Sequence, residues 1–237
     1  NNQQGGFDST ETLVSSTAND EFSASAFEDF DGDGDLDIIS VPGRPGINNI
    51  SFHRNQNGIF ITEQIAPNDL GTTLLSMETF DLENDGDMDA VFVADEDEGG
   101  LIVLINNGNG VFSVELLDDF PTWLRTQITP ADFDQDGDMD LLFSCMFNTN
   151  LVAVYEYDNG DFIGHIIDEP SVTTAISHAM DVDNDGLEDV VFFTGQLWSN
   201  IPDDGLYWYR NLGNWQFSSP YFVNFNNDIE LYIPWDI

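Results

Sequence analysis

The sequence predicts an all-β chain of four-stranded antiparallel blades, the architecture of a β-propeller, on three observations. The first is a nine-residue acidic loop that occurs four times, at a spacing of about 50 residues. The second is a run of β-branched and aromatic residues after every loop, and the third is a Gly/Asn turn flanked by further strand patterns. A fixed period of this length is typical of one supersecondary unit stacked on copies of itself. Four short strands per unit are typical of a propeller blade.

The acidic loops share carboxylates at positions 1, 3, 5 and 9 and a glycine at position 6. Loops 1 to 4 read DFDGDGDLD at residues 29–37, DLENDGDMD at 81–89, DFDQDGDMD at 132–140 and DVDNDGLED at 181–189. Alternate residues of a tight loop can converge on one ion, and Ca²⁺ takes six to eight oxygen ligands from carboxylates, carbonyls and water. Glycine at position 6 allows a backbone angle that a side chain would resist. The loops therefore predict about four calcium sites, one in each.

The predicted ligands lie at positions 1, 3, 5, 7 and 9 of each loop. Position 7 is expected to offer only its backbone carbonyl, because it varies among the loops and is Leu187 in loop 4. Loop 2 is expected to be the loosest site, since Glu83 replaces aspartate at position 3. The full set is Asp29, Asp31, Asp33, Asp35, Asp37, Asp81, Glu83, Asp85, Asp87, Asp89, Asp132, Asp134, Asp136, Asp138, Asp140, Asp181, Asp183, Asp185, Leu187 and Asp189.

The loops begin like an EF-hand but lack its last ligand. An EF-hand needs a bidentate glutamate at position 12, followed by a helix. The residues at this position are Ser40, Phe92, Phe143 and Phe192. Magnesium prefers a small octahedral shell that keeps several waters, and zinc prefers histidine and cysteine, all of which lie outside the loops. Asp and Gly also favour ordinary turns, but four copies in register argue against that simpler interpretation.

Each unit continues in the same order after its loop and buried strand. A further strand is expected at 50–54, 101–106, 151–157 and 206–210, followed by a Gly/Asn hairpin turn and a last strand. The predicted blades are 15–66, 67–118, 119–168 and 169–224. Residues 1–14 are expected to hold the outer strand of a preceding blade, and 225–237 the first strand of a next one.

With these features the chain resembles the FG-GAP/VCBS repeat family, which includes the calcium-loop repeats of integrin alpha subunits. The resemblance rests on DxDxDGxxD with its apolar strand and on phrases such as GLYWYRNLGNWQF and GLIVLINNGNGVF. It covers nearly the whole chain from Phe7 and looks closest to bacterial secreted VCBS-type proteins. The family implies a calcium-stabilised propeller, commonly seven-bladed, with metal loops between the first and second strands. Glu83 and the missing FG-GAP signature depart from the family pattern, and the second argues against an integrin-like ligand role.

The ends of the chain predict that the repeat continues beyond it. Asp236 aligns with position 1 of a fifth loop, and four full blades are fewer than a closed ring usually has. The chain is therefore expected to be an internal part of a longer propeller. The alternative is an open array that a neighbouring copy completes.

The composition limits which binding partners and which cellular location are expected. Formal net charge is −41, with 45 acidic residues and only four basic ones, while 41% hydrophobic residues and 19 Phe indicate a real core. Such a surface repels nucleic acid and anionic membranes, and the sequence has no apolar stretch long enough for membrane insertion. Extracellular modules often use weak calcium sites that fill only outside a cell. A secreted or cell-surface location is expected.

A non-catalytic binding or adhesion module is the favoured function, with a glycan or a surface protein as partner. The sequence contains no GxSxG, P-loop or HExxH motif. Trp123 and Trp198 lie in connections between strands and are the candidate ligand contacts, because loops on a rigid scaffold often carry function. Trp208 and Trp215 are expected to pack between blades, and His53 and His165 to be solvated on outer strands.

Two alternatives remain open. One is a structural repeat of a large secreted or filamentous surface protein, which would self-assemble. The other is the propeller part of an extracellular polysaccharide-degrading enzyme, with a carboxylate pair that sequence spacing alone does not single out among so many acids.

Overall fold

The structure is a computed structural model that describes residues 22–42, 50–65, 73–95, 100–117, 126–145, 152–168, 174–194 and 205–223. These residues contain sixteen strands and no helix. The strands form four antiparallel sheets of four strands, and every sheet consists of strands that follow one another along the chain. The predicted all-β architecture of four-stranded, propeller-like blades is confirmed.

The strands of each sheet are numbered in chain order, and each sheet is called a blade. Blade 1 contains β1 (Phe22–Glu28), β2 (Asp37–Pro42), β3 (Ser51–Gln56) and β4 (Ile59–Gln64). Blade 2 contains β5 (Thr73–Phe80), β6 (Asp89–Asp95), β7 (Gly100–Asn106) and β8 (Phe112–Leu117). Blade 3 contains β9 (Thr126–Ala131), β10 (Asp140–Cys145), β11 (Val152–Asp158) and β12 (Asp161–Asp168). Blade 4 contains β13 (Thr174–Met180), β14 (Asp189–Thr194), β15 (Gly205–Tyr209) and β16 (Tyr221–Val223).

Each acidic loop connects the first and second strands of its blade. The aspartate at position 9 is the first residue of the second strand, as Asp37 is in β2 and Asp89 in β6. Position 12 therefore lies inside a buried strand, where Phe92 and Phe143 are 0% exposed. The loop–strand arrangement excludes the helix–loop–helix of an EF-hand.

Adjacent blades pack face to face, which explains why the second strands are apolar without interruption. In β6, Ala90 and Phe92 belong to the core shared with blade 1, whereas Val91 and Val93 belong to the core shared with blade 3. A strand that alternates between two buried faces must be apolar on both. A third core lies between blades 3 and 4, and it includes Phe192.

Three aromatic rings close the core between blades 1 and 2. Phe30, which follows the first loop aspartate, lies edge-on to Phe52 and Phe112, with ring centroids 6.0 and 5.9 Å apart. The Phe52 and Phe112 centroids are 5.4 Å apart, also in an edge-to-face arrangement. Edge-to-face contact is a favourable geometry for aromatic pairs. Position 2 of the loop thus anchors the acidic segment to the interface between two blades.

The predicted Asn-Gly hairpins are present between the third and fourth strands. Asn57 and Gly58 have φ of 55° and 88°, and Asn159 and Gly160 have φ of 52° and 95°. Two successive residues with positive φ are the requirement of a type I′ turn, which asparagine and glycine meet at low cost.

The prediction that His53 is solvated is wrong. His53 is 3% exposed, and its ring nitrogens lie 2.7 Å from Ser40 Oγ and 2.8 Å from Thr62 Oγ1. Neighbouring strands β2 and β4 supply these hydroxyls, so the ring is buried with both nitrogens hydrogen-bonded. Polar side chains that are buried normally find such partners. The sequence pattern of β3 alone did not show which of its faces is covered.

His165 is also more enclosed than predicted. Its side chain is 23% exposed and stacks on Trp215, with ring centroids 4.3 Å apart and planes 3° from parallel. Its Nε2 lies 2.6 Å from Glu156 Oε2. The packing role predicted for Trp215 is confirmed, because it packs against the core between blades 3 and 4. Trp208 is buried at 6% exposure and contacts Tyr221 of its own blade, so its predicted packing between blades stays a prediction.

Candidate metal centre in the acidic loops

All four loops turn through two left-handed residues, at positions 4 and 6. The position 6 glycines have φ between 93° and 104°, a region that favours glycine. Position 4 is also left-handed, with φ of 72° at Gly32, 52° at Asn84, 67° at Gln135 and 61° at Asn184. Glycine and asparagine tolerate this region better than most residues. Sequence analysis identified position 6 but missed position 4, although its Gly/Asn-rich composition was the available signal.

The carboxylate at position 1 organises the turn in loops 1, 2 and 4. In loop 1, the Asp33 and Gly34 N–H groups donate to the two oxygens of Asp29, at 3.1 and 2.9 Å. Asp81 and Asp181 accept the same pair of bonds in their loops. In loop 3, Asp132 accepts from the Gln135 N–H at 2.7 Å. Backbone N–H groups thus orient these carboxylates.

Positions 3 and 5 form local Asx turns that point successive carboxylates the same way. In loop 3, the Asp136 N–H donates to Asp134 at 3.2 Å, and the Asp138 N–H donates to Asp136 at 2.9 Å. Loops 1 and 4 contain both bonds as well. Such side-chain bonds to the backbone two residues on are typical of aspartate in turns.

Three of the loops bring carboxylate oxygens close enough to share one ion. The oxygens lie within 4.8 Å of one another in three groups: Asp29, Asp31 and Asp33; Asp132, Asp134 and Asp136; Asp181, Asp183 and Asp189. Two oxygens on opposite sides of a calcium ion lie about 5 Å apart, because each is 2.3–2.6 Å from the metal. An all-oxygen donor set at this spacing fits calcium. It does not supply the nitrogen or sulfur ligands that zinc prefers.

The position 9 aspartates are buried and join each loop to the third strand of its blade. Asp37, Asp89 and Asp189 are 0% exposed and Asp140 is 1% exposed. In Asp89, one oxygen accepts from the Leu82 N–H and the other from the Asn106 N–H, both at 2.7 Å. The other blades repeat this pair of bonds. Position 9 therefore has a structural role that sequence analysis did not predict, beside its predicted role as a ligand.

Burial makes the ionised form of the position 9 carboxylates costly. Burial raises the pKa of Asp89 and of Asp140 to about 7, although two backbone N–H donors act in the opposite direction on each. Burial also raises the pKa of Asp37 and of Asp189. A divalent cation nearby favours the ionised form of a carboxylate. A cation bound in the loop would therefore lower the pKa of these carboxyls and keep them ionised.

In loops 1, 2 and 4, the position 7 side chain lies against the hairpin turn of its own blade. The Asn57 N–H donates to Asp35 Oδ2 at 3.0 Å, and a Cβ added to Gly108 would lie 3.1 Å from Asp87 Oδ2. Leu187 lies beside Gly213 in the same way. None of the three carboxylate groups described above includes position 7. That position 7 contributes only its carbonyl stays a prediction.

Loop 2 differs from the other loops at position 3. The Tyr157 hydroxyl of blade 3 donates to Glu83 Oε1 at 3.4 Å, so this carboxylate has a partner on the neighbouring blade. Burial is the main cause that raises the pKa of Glu83, and the nearby Asp85 adds to it. Among the described residues, loop 2 contains no group of three convergent carboxylates. The predicted ligands Asp81, Asp85 and Asp89 keep the positions that their counterparts have in the other loops.

Two arginines contact the acidic loops, which the sequence analysis did not anticipate. Arg54 Nη1 forms an ion pair with Asp31 in loop 1. Arg210 contacts loop 4 through Nε, 2.5 Å from Asp183 Oδ2, and Nη2, 3.1 Å from Asp185 Oδ2. The available signal was their shared position, one residue before an asparagine close to the end of the third strand in both blades.

A cleft of about 490 Å³ lies between blades 3 and 4 beside loops 3 and 4. Asp132 and Glu188 provide carboxylates, and Pro130, Met139 and Ala179 provide apolar wall. The two tryptophans predicted to contact a ligand, Trp123 and Trp198, lie outside the described residues. Among the described residues, no helix is long and apolar enough to cross a membrane.

Comparison with known families gives the repeat a name. The family model described as FG-GAP-like repeat matches three times, at residues 29–92, 81–143 and 132–192. Each match begins at position 1 of one loop and ends at position 12 of the next, so it contains two successive loops and overlaps the following match. No curated protein matches the chain. The family is typically a non-catalytic repeat module of extracellular proteins. With residues 29–192 covered, the chain belongs to the FG-GAP-like repeat family.

Proposed function

We propose that the chain is an extracellular calcium-binding β-propeller module with a non-catalytic binding or adhesion role. The observation that carries the calcium part is the convergence of three carboxylate oxygens within 4.8 Å in loops 1, 3 and 4. The residues that would hold the ion are those three groups, with Asp81, Asp85 and Asp89 as the corresponding residues of loop 2. The family and the lack of histidine or cysteine in the loops support calcium over transition metals.

Calcium would stabilise each blade because the loop is tied to three of the four strands. The loop joins the first and second strands, and its position 9 carboxylate accepts a hydrogen bond from the third. Empty loops leave several carboxylates close together, and their repulsion disfavours the folded state. A bound cation removes this repulsion and binds only where the ligands are assembled, so binding is coupled to folding.

The binding role is proposed for a glycan or a protein at a cell surface or in the extracellular matrix. The rigid blades support connecting loops, and Trp123 and Trp198 are the aromatic residues that we propose to contact the partner. The cleft between blades 3 and 4 supports a role in recognition, since it combines carboxylates with apolar wall beside a metal loop. The net charge of −41 makes nucleic acid and anionic membranes poor partners.

A pair of substitutions in loop 3 tests the calcium assignment. Asp136→Ala removes a convergent carboxylate at position 5, whereas Asp138→Ala removes a carboxylate at position 7. We expect calorimetric titration of the chelated protein to give about four calcium ions for the wild type, and one fewer for Asp136→Ala. Asp138→Ala should keep the full number. Equal losses in the two variants would contradict the ligand assignment.

The binding role needs a separate experiment, because a calcium site can be purely structural. The calcium-loaded chain is applied to a glycan array and to extracellular matrix proteins, beside the variants Trp123→Ala and Trp198→Ala. Specific binding that either substitution abolishes, without a change in melting temperature, would support the proposal. Ordered polymers of the pure chain in electron micrographs, without ligand binding, would favour the structural-repeat alternative through self-assembly.

A further inference from the structure

Arg54 and Arg210 occupy the same position of the repeat, which the hydrogen bonds of the position 9 carboxylates define. In every blade, the position 9 carboxylate accepts a hydrogen bond from one N–H near the end of the third strand. The donors are Asn55, Asn106, Tyr157 and Asn211. The residues immediately before them are Arg54, Ile105, Glu156 and Arg210. Two of the chain's four positive charges therefore occupy the same position, in blades 1 and 4.

In blades 1 and 4, this arginine forms an ion pair with the carboxylate at loop position 3. Asp31 has both oxygens engaged, since Oδ1 accepts from the Asp33 N–H at 3.2 Å and Oδ2 pairs with Arg54. Asp183 is engaged in the same manner, by the Asp185 N–H at 3.3 Å and by Arg210 Nε at 2.5 Å. These carboxylates belong to the convergent groups of loops 1 and 4.

In blade 3, the same position bears a negative charge. Glu156 stands where blades 1 and 4 have arginine, and its Oε2 lies 2.6 Å from His165 Nε2. The Oδ1 atom of Asp134 accepts from the Asp136 N–H, and no described residue donates to its Oδ2. Loop 3 can therefore offer this position 3 oxygen to an ion, whereas the corresponding oxygens of loops 1 and 4 are paired with arginine.

We infer that Arg54 and Arg210 set the calcium affinity of loops 1 and 4, by competing with the ion for the position 3 carboxylate. This inference rests on the proposed calcium sites. The guanidinium repels a divalent ion and must leave or share its carboxylate when the ion binds. When calcium is scarce, the guanidinium neutralises part of the negative charge of the loop. Loop 3 fills first as calcium rises, and loops 1 and 4 fill at higher concentration, so occupancy along the blades is graded.

The expected magnitude follows from the charges. A unit charge within several ångströms of a divalent ion at a protein surface changes its affinity by about tenfold, equivalent to about 1.4 kcal/mol. The substitutions Arg54→Gln and Arg210→Gln should each tighten binding in their own loop by about this factor. Arg54→Lys and Arg210→Lys, which keep the charge, are the matched controls. The reciprocal change Glu156→Arg should weaken binding in loop 3.

A calcium titration of the chelated full chain, followed by amide NMR, resolves the loops one by one. The position 6 glycines report on their own loops: Gly34, Gly86, Gly137 and Gly186. In the wild type, the Gly137 midpoint should lie below those of Gly34 and Gly186. Arg54→Gln should lower the Gly34 midpoint about tenfold and leave Gly137 unchanged, while Arg54→Lys should behave like the wild type.

The outcomes separate this inference from the proposed function. If the wild-type glycines respond to calcium but neither glutamine variant lowers the midpoint of its loop, the arginine inference is wrong and the calcium sites stand. A higher midpoint in both glutamine variants also overturns it, since the arginines would then assist binding. If no glycine responds in the wild type, the calcium proposal itself fails. The Arg54 and Arg210 variants are tested separately, and the order of the wild-type midpoints is measured without any variant. A single misfolded variant therefore does not prevent the test from deciding.

Discussion

The side-chain amide of Asn211 in blade 4 donates a hydrogen bond to the backbone carbonyl of Phe133, at position 2 of loop 3, at 2.9 Å. Asn106 of blade 2 donates in the same way to Phe30 in loop 1, at 2.8 Å. Both asparagines are buried, and each also donates to the position 8 carbonyl of its own loop. One amide thus joins the acidic loops of two neighbouring blades.

Between blades 2 and 3, a different donor forms the hydrogen bond to the position 2 carbonyl. Tyr157 replaces the asparagine in blade 3, and the Met139 N–H donates to the Leu82 carbonyl at 2.8 Å instead. The position 2 carbonyl of loops 1, 2 and 3 therefore accepts a bond from the following blade in every case. Buried carbonyls are rarely left unpaired, which gives this link a structural cause at each interface.

Removing the Asn106 amide should destabilise the junction of blades 1 and 2. Asn106→Ala leaves the buried Phe30 carbonyl and the partly buried Met88 carbonyl without this donor, so we expect a loss of about 2–3 kcal/mol in the free energy of unfolding. Asn55→Ala is the matched control, because the Asn55 amide donates to the exposed Leu36 carbonyl of its own loop. Urea unfolding at saturating calcium measures both. A loss for Asn55→Ala as large as that for Asn106→Ala would refute the cross-blade role.

Two hairpin glycines separate backbone strain from steric contact. Gly58 and Gly110 both have positive φ, but a Cβ at Gly58 meets nothing within 4 Å, whereas one at Gly110 would lie 2.7 Å from the Phe52 ring. Gly58→Ala should cost about 1 kcal/mol from strain alone. Gly110→Ala should cost about 2 kcal/mol more, because Phe52 must move in a packed core. Thermal unfolding compares the two, and equal losses would show that the ring relaxes freely.

Buried His53 predicts an acid-sensitive component of stability. Burial lowers the pKa of His53, so the folded protein keeps the ring neutral while the unfolded chain takes up a proton below about pH 6.5. Its contribution to stability is therefore complete above that pH and is lost as the pH falls towards the lowered pKa. The loss is up to about 1.4 kcal/mol per pH unit.

The variant His53→Gln isolates this effect from the many carboxylates. The variant should be less stable than the wild type at pH 7.5, since the bonds to Ser40 and Thr62 are altered. Between pH 7.5 and 5.5, however, it should lose less stability than the wild type. Parallel pH profiles from chemical unfolding would mean that the ring is protonated without cost in the folded state.

The sequence was sufficient to predict the repeat, the order of strands in a blade and the hairpin turns. These features follow from local patterns: Asp and Gly at fixed spacing, apolar runs of strand length and Asn-Gly pairs such as Asn57-Gly58. Local chemistry decides them, and the same chemistry acts in each copy. The convergence of carboxylates in loops 1, 3 and 4 follows from the same spacing.

Contacts between blades could not be predicted from one unit of the repeat. The bonds of Asn106 and Asn211 to the preceding loop depend on how two sheets pack, and so does the Tyr157 contact with Glu83. His53 looked like a solvated outer-strand residue because the alternation of β3 does not say which face is covered. Arg54 and Arg210 share one position of the repeat. That shared position becomes visible only when the blades are aligned by the hydrogen bonds to the position 9 carboxylates.

The melting temperature of the chain with and without metal tests the central claim, that the acidic loops hold calcium and thereby stabilise the blades. After verified metal removal with a chelator, the melting temperature should fall by at least about 5 °C, since each saturated site contributes about 2–3 kcal/mol. Added calcium should restore it, and magnesium at the same concentration should restore it less. A melting curve that is the same before and after metal removal would contradict the account.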